Sequence, residues 1–144
     1  MPDILHELTI AATPDKAYQA ITEAQGVTRW WAPEAIVEPK VGSKAEFRFR
    51  GGQFVILVEI TTLEPERNVD WAVKGGLPEW SGTYVSWNLT PVDNGTKVRF
   101  GHCDHASTDG LFANNSYTWA WYLTSLKDYV ETGKGRPGQA PGTT

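Results

Sequence analysis

The sequence predicts an α+β fold: one curved antiparallel sheet of six to seven strands around a long C-terminal helix, with two short helices after the first strand. Three observations predict it. Five consecutive runs between residues 44 and 105 alternate apolar and polar side chains with the period of a half-buried strand. From about residue 114 the apolar spacing becomes helical. Ahead of both lies one alternating segment followed directly by helix-start signals.

The first strand is expected over about 3–12, with Ile4, Leu8 and Ile10 on one face and Leu5, Glu7 and Thr9 on the other. Thr13-Pro14-Asp15 then opens a helix: Thr13 caps, Pro14 suits the first helical position, and Asp15 favours the positive end of the dipole. Ala17, Ile21 and Ala24 mark its apolar side, Gly26 is expected to end it, and Val27 to Trp31 to form a second helical piece.

The strand runs are placed at 44–50, 53–63, 69–74, 80–90 and 96–105. The clearest alternation sets Ala45, Phe47 and Phe49 against Glu46, Arg48 and Arg50. Gly51-Gly52, Gly75-Gly76 and Asp93-Asn94-Gly95 supply turns. In the last helix Trp119, Tyr122, Leu123, Leu126 and Val130 share a stripe, and Gly133 suits the residue after the helix. A sheet with one apolar face must cover it, and this helix is the available cover. One domain is expected over 1–133, with a Gly- and Pro-rich flexible tail over 134–144 that has nothing to pack against.

Composition narrows the function. Charged residues are 21% of the chain and interleaved in sign at a net −4, so no basic stripe offers itself to nucleic acid. No apolar run approaches the roughly 18 residues of a spanning helix, so no membrane partner is expected. Met1-Pro2-Asp3 does not open a signal peptide, and Cys103 stands alone, which permits a reducing compartment; a cytoplasmic location is expected. Seven tryptophans demand large apolar surroundings.

Short motifs in a fixed order carry a resemblance. They are Ile10-Ala11-Ala12-Thr13-Pro14, Trp30-Trp31-Ala32-Pro33, Leu63-Glu64-Pro65-Glu66 before Val69-Asp70-Trp71, and Val85 to Pro91. Gly95-Thr96-Lys97-Val98, His102, Trp119 to Leu123, Ser125-Leu126-Lys127 and Glu131 to Gly135 continue it. The chain resembles the START-related helix-grip superfamily known as SRPBCC, in the branch named after the C-terminal domain of the heat-shock-protein-90 ATPase activator. One residue departs from that pattern: Thr118 stands where a glycine usually precedes the helix tryptophan. The superfamily hosts carriers, cyclases, oxygenase domains and regulators, so the resemblance implies the fold far more than the function.

The expected site is an apolar cavity between sheet and helix that binds a small hydrophobic molecule. Trp30 and Trp31 are assigned to the site, at least one of them covering its mouth, and Phe47, Phe49, Val58 and Trp71 to its sheet wall. Val85, Trp87, Phe100 and His102 continue that wall; Trp119, Tyr122 and Leu126 face it from the helix. His102 follows the inward phase of Val98 and Phe100, because Lys97 and Arg99 take the other face. The first-with-last strand pairing implied by the resemblance brings His6 beside His102, either as an acid–base pair or as two separately hydrogen-bonded side chains. His102 to His105 lacks the converging ligands of a metal site, so no metal is assigned. No serine has a nucleophile-elbow context, the glycine pairs lack a phosphate-loop context, and neither a catalytic set nor a cofactor is assigned.

Two alternatives stand beside ligand binding. One is a cyclase- or hydrolase-type enzyme using cavity polar groups; the other is a chaperone-associated or stress-response interaction module. The activator's separate N-terminal domain has no counterpart in these 144 residues, which weakens the second. Trp80, Tyr84, Trp121 and Tyr129 fall off the inward stripes and suggest a homodimer contact.

Overall fold

The computed structural model describes residues 1–140. Strand β1 (Ile4–Ile10) leads into helices α1 (Pro14–Thr22) and α2 (Ala24–Trp30). Strands β2 (Glu34–Ile36), β3 (Lys44–Phe49), β4 (Phe54–Glu64), β5 (Asn68–Gly75), β6 (Tyr84–Val92) and β7 (Gly95–Cys103) follow, and α3 (Phe112–Thr132) comes last. All seven strands form one antiparallel sheet in the order β1-β7-β6-β5-β4-β3-β2. Two register shifts in β4, at Leu57/Val58 and Ile60/Thr62, bend the sheet as bulges do. The concave face so formed grips α3.

The alternating phases decide the core. Phe47, Phe49, Trp71, Val85, Trp87 and Phe100 are all buried on the concave face, as their alternation requires. Trp119, Tyr122, Leu123 and Leu126 bury the facing stripe of α3. Aromatic rings fill most of the volume between them: centroids lie 4.5 Å apart for Phe100 and Trp119, 4.6 Å for Trp31 and Phe47, and 4.8 Å for Trp87 and Phe100. On the convex face Arg99 pairs with Glu7 at 3.4 Å, which keeps both charges in water.

Several local expectations are corrected. Gly26 does not end a helix. The break falls at Glu23, whose backbone is extended, and Gly26 lies buried inside α2. A Cβ there would sit 2.7 Å from the Cα of Ala20, so the glycine lets α2 cross α1 in contact. The three-residue β2 went unread because so short a run carries no period. The run 80–90 begins as a strand only at Tyr84; Pro78–Trp80 is a 3-10 turn that folds Trp80 inward to 7% exposure. The run 96–105 stops at Cys103, because Asp104 takes φ +67° and turns the chain. His105 therefore does not continue the alternation but folds back against His102, with ring centroids 4.4 Å apart. His6 does not meet His102: the register pairs it with Phe100, and Nε2 of His6 lies 3.2 Å from the carbonyl of Ser116.

The expectation that the tail has nothing to pack against is also corrected, for residues 134–140. After Gly133 closes α3, the amide of Arg136 donates to Ser125 Oγ (2.7 Å), which itself donates to the carbonyl of Trp30 (2.9 Å). The Arg136 guanidinium bonds Asp128 at 2.7 Å and lies 4.9 Å over the ring of Trp121. The Gly138 amide donates to Trp31 O, and Ala140 is buried. A Cβ on Gly135 would fall 2.4 Å from the carbonyl of Arg29, so only glycine lets this strap lie across the seam of α2 and α3. Residues 141–144 of the expected tail lie outside the described residues.

One polar chain crosses this core. The indole N–H of Trp119 donates to His102 Nδ1 at 3.1 Å. Indole nitrogen only donates, so Nδ1 must be bare and the ring proton must sit on Nε2. Nε2 then donates to Thr83 Oγ1 at 2.8 Å, and Thr83 donates to the carbonyl of Trp80. A second proton on His102 would set N–H against N–H. Burial and the neighbouring His105 accordingly push its pKa down to about 3, and burial lowers that of His105.

Two predictions follow from this packing. Trp87, fully buried among Trp30, Trp71, Phe100 and Trp119, should cost roughly 3–5 kcal/mol of stability when changed to Ala; a loss below about 1 kcal/mol in urea titration would contradict the packing. The histidines give a pH signature. Both bind a proton more readily unfolded than folded, so their contribution is complete above about pH 6.5 and is lost as the pH falls, for His102 toward about 3. The carboxylates held low, Asp15 by the Thr13 hydroxyl and Glu131 by the Ala11 amide, withdraw theirs only in the ordinary carboxylate range and below. The urea midpoint should therefore drop between about pH 7.5 and 5, and drop less in His102→Gln. An unchanged wild-type midpoint over that interval would refute the buried neutral assignment.

Candidate functional site

A cavity of about 470 Å³ opens where the first two turns of α3 stand off from the sheet. Its inner wall is apolar: Trp31 at the end of α2, Phe49 of β3, Phe54 and Ile56 of β4, Leu77 and Tyr122. Its mouth is framed by the β3–β4 turn, with Arg50 and Gln53, and by Leu111 before α3. Arg50 holds a left-handed backbone at φ +55°, followed by Gly51 at +67° and Gly52 at +93°. Arginine tolerates that region poorly, so the turn is held by its surroundings.

The rest of the wall is polar and unusual. Asn115, Thr118 and Tyr122 follow at i, i+3 and i+7 on one side of α3 and line the cavity with Trp80. Asn115 is 5% exposed and Trp80 is 7% exposed. Asn115 Nδ2, Thr118 Oγ1 and Trp80 Nε1 are all buried without a hydrogen-bond partner among the described residues. Trp87 Nε1 is also unpartnered, but it lies within the packed core and not on this wall.

Of the residues assigned to the cavity from sequence, Trp31, Phe49 and Tyr122 line it. Trp30, Phe47, Trp71, Trp87, Phe100 and Trp119 point inward but pack on one another. Val58, Val85 and Leu126 are buried in the same core. His102 is spent on Trp119 and Thr83 and does not reach the cavity wall. Alternation reports which side chains face inward; it does not report which of them find the space already full.

Sequence reasoning missed Phe54, Ile56, Leu77, Trp80, Asn115 and Thr118. The signal for two of them was present. Asn115 and Thr118 interrupt an apolar stripe at helical spacing, and a polar residue inside such a stripe marks a demand other than packing. Trp80 was misplaced by starting the 80–90 strand run at it, whereas it closes the Pro78–Trp80 turn.

The chemistry available is binding chemistry. Burial pushes the Cys103 thiol up, which keeps it protonated and a poor nucleophile. Among the described residues neither ring nitrogen of His105 has a hydrogen-bond partner, yet it sits off the main cavity, beside a smaller one of about 170 Å³ with Glu79. Among the described residues no three His, Cys, Asp or Glu side chains group as a metal site.

Comparison with known proteins gives a consistent family. The profile described as Activator of Hsp90 ATPase homolog 1-like protein matches residues 11–131. Comparison with curated proteins finds no match. The solution structure of the Aha1 dimer from Colwellia psychrerythraea is 39% identical, covering 94% of this chain and 100% of that one, with a TM-score of 0.84. An AHSA1-like protein from Aeromonas hydrophila shares the fold at 17% identity, covering 92% of this chain and 94% of that one, with a TM-score of 0.76. DynU16, from the dynemicin biosynthetic locus, shares it at 20% identity and a TM-score of 0.76; the alignment covers 92% of this chain and 48% of that one. With its sheet, its gripped helix and a profile match over most of its length, the chain belongs to the Activator of Hsp90 ATPase homolog 1-like family.

Proposed function

We propose that this protein binds a small, mostly apolar molecule in the cavity at the N-terminal half of α3. One observation carries the reading: a partly open cavity of about 470 Å³ with an apolar wall beside a core whose remaining volume is filled with rings. Cores close-pack, and a partly open apolar space of this size leaves apolar side chains against water until an occupant covers them. Concave apolar walls with a few polar groups are the usual form of a small-molecule site. The enzyme alternative has less support: among the described residues the cavity wall carries no His, Cys, Asp or Glu, and His102 is engaged elsewhere. Cys103, buried and unpaired, suits the reducing cytoplasm, where we place the protein. Among the described residues no helix is long and apolar enough to cross a membrane.

A homodimer is the second part of the proposal, supported by the 39%-identical relative described as a dimer. The contact surface differs from the one expected. Trp80 is buried, Trp121 is partly buried beneath Arg136 and Tyr129 is partly buried against the core, which leaves Tyr84 as the exposed member of that group at 40%. Tyr84 shares a convex-face depression with Leu5, 64% exposed, across the small residues Ser86 and Gly101. A second copy is the occupant proposed for that face.

Both parts are testable. N-phenyl-1-naphthylamine should bind saturably, one per chain. Asn114→Trp, which adds an indole to the wall, should weaken it at least roughly tenfold, about 1.4 kcal/mol. No saturable binding would refute the cavity reading and favour an interaction module. Light scattering should report twice the 16.0 kDa chain mass, and Leu5→Asp should return it to one; a wild-type monomer at high concentration would refute the dimer.

A further inference from the structure

The proposal of a ligand in the α3 cavity leaves its polar end unspecified, and the wall specifies it. Buried polar atoms without partners are rare, because each forfeits its hydrogen bonds to water for nothing. Here three of them lie on one cavity wall: Trp80 Nε1, Asn115 Nδ2 and Thr118 Oγ1. Each departs from what its local structure would otherwise supply. A helical threonine ordinarily bonds the carbonyl one turn back, as Thr124 and Thr132 of the same helix do; Thr118 does not. Asparagine is a poor helix former that a packed interior would replace with leucine. Trp80 is fixed in place by its own backbone, whose carbonyl takes the Thr83 hydroxyl at the end of the His102 chain. Its indole stands edge-on to His102 with centroids 4.6 Å apart and stacks on Trp119 at 6.2 Å, so it cannot swing out to find a partner without losing both contacts.

The chemistry of the trio is one-sided. An indole nitrogen and a carboxamide nitrogen only donate, and the hydroxyl does either. A ligand group that satisfies them must accept at least two hydrogen bonds, as a carbonyl oxygen does with its two lone pairs. The group should also be neutral. Arg50 is the one cationic side chain on the wall among the described residues, and it stands on the exposed turn at the mouth. A carboxylate carried inward would leave water without a counter-charge beside it. Resting on the ligand-binding reading above, we propose that the cavity recognises a neutral carbonyl oxygen at the end of an apolar molecule, with Trp80 and Asn115 as donors and Thr118 completing the set.

The test uses three probes of one shape, 2-ethylnaphthalene, 2-acetylnaphthalene and 2-naphthoate, each displacing N-phenyl-1-naphthylamine from the full chain. The ketone should bind about fivefold to tenfold tighter than the hydrocarbon, the range expected for a net hydrogen bond at a buried site. Asn115→Leu and Trp80→Phe should bring that ratio close to one. A readout independent of either variant is the indole ¹H–¹⁵N signal of wild-type Trp80, which the ketone should shift and the hydrocarbon should leave nearly in place. If no naphthalene binds, the cavity reading itself fails. If all bind but the ketone holds no advantage, or the Trp80 signal ignores it, the carbonyl proposal is overturned while the cavity reading stands. Naphthoate binding tighter than the ketone would overturn the neutral class.

Discussion

The hydrogen-bond chain through His102 ties together parts of the fold that no strand or helix joins. It starts on α3 at Trp119, passes through β7 at His102, and ends at Thr83 and the carbonyl of Trp80. Buried polar networks of this kind are costly when incomplete and specifying when complete. Here the chain is complete, and it admits one protonation state. It fixes the rotation of α3 over the sheet, because Trp119 must aim its N–H at one atom. It also fixes the 78–80 turn, because the carbonyl of Trp80 is the last acceptor.

From that constraint the cavity follows. C-terminal to Trp119 the stripe of α3 is Tyr122, at the cavity's inner edge, and then Leu123 and Leu126, and all three are buried. On the other side of Trp119 the same face carries Asn115 and Thr118, which are too short and too polar to fill the space that Phe49, Phe54 and Leu77 enclose. The aromatic core thus performs two tasks. Its rings exclude water from the concave face, and its edge forms the inner wall of the cavity, where the proposed ligand would meet side chains already packed in place. The Arg136 strap closes the other flank of the helix, so the open side of the grip is the one that faces the Arg50 turn.

Much of the fold was legible because it obeys simple periods. Phe47 and Phe49 alternate with charged neighbours, the helix stripe runs at helical spacing, and short motifs such as Trp30-Trp31-Ala32-Pro33 recur in family order. The illegible parts depend on contacts between residues distant in sequence. Nothing around Gly26 announces that Ala20 will press against it, and nothing around Gly135 announces the carbonyl of Arg29. Asp104 reads as one more strand residue until its left-handed backbone turns His105 under His102. The site was legible in its location and only partly in its members. Trp31, Phe49 and Tyr122 line the cavity, whereas His102 was drawn there by its phase and held away by two hydrogen bonds that alternation does not encode. The clue that would have corrected the list was Thr118, a polar residue beside the helix tryptophan.

The ring nitrogens of His102 test this account most directly. Long-range ¹H–¹⁵N spectra of the uniformly labelled protein at about pH 7 and again at about pH 5 report the charge and tautomer of each imidazole. The account predicts a neutral His102 with its proton on Nε2 at both values, in keeping with a pKa near 3. An imidazolium at about pH 5, or a neutral ring protonated on Nδ1, would contradict it, because either would set two donors against each other where Trp119 meets His102.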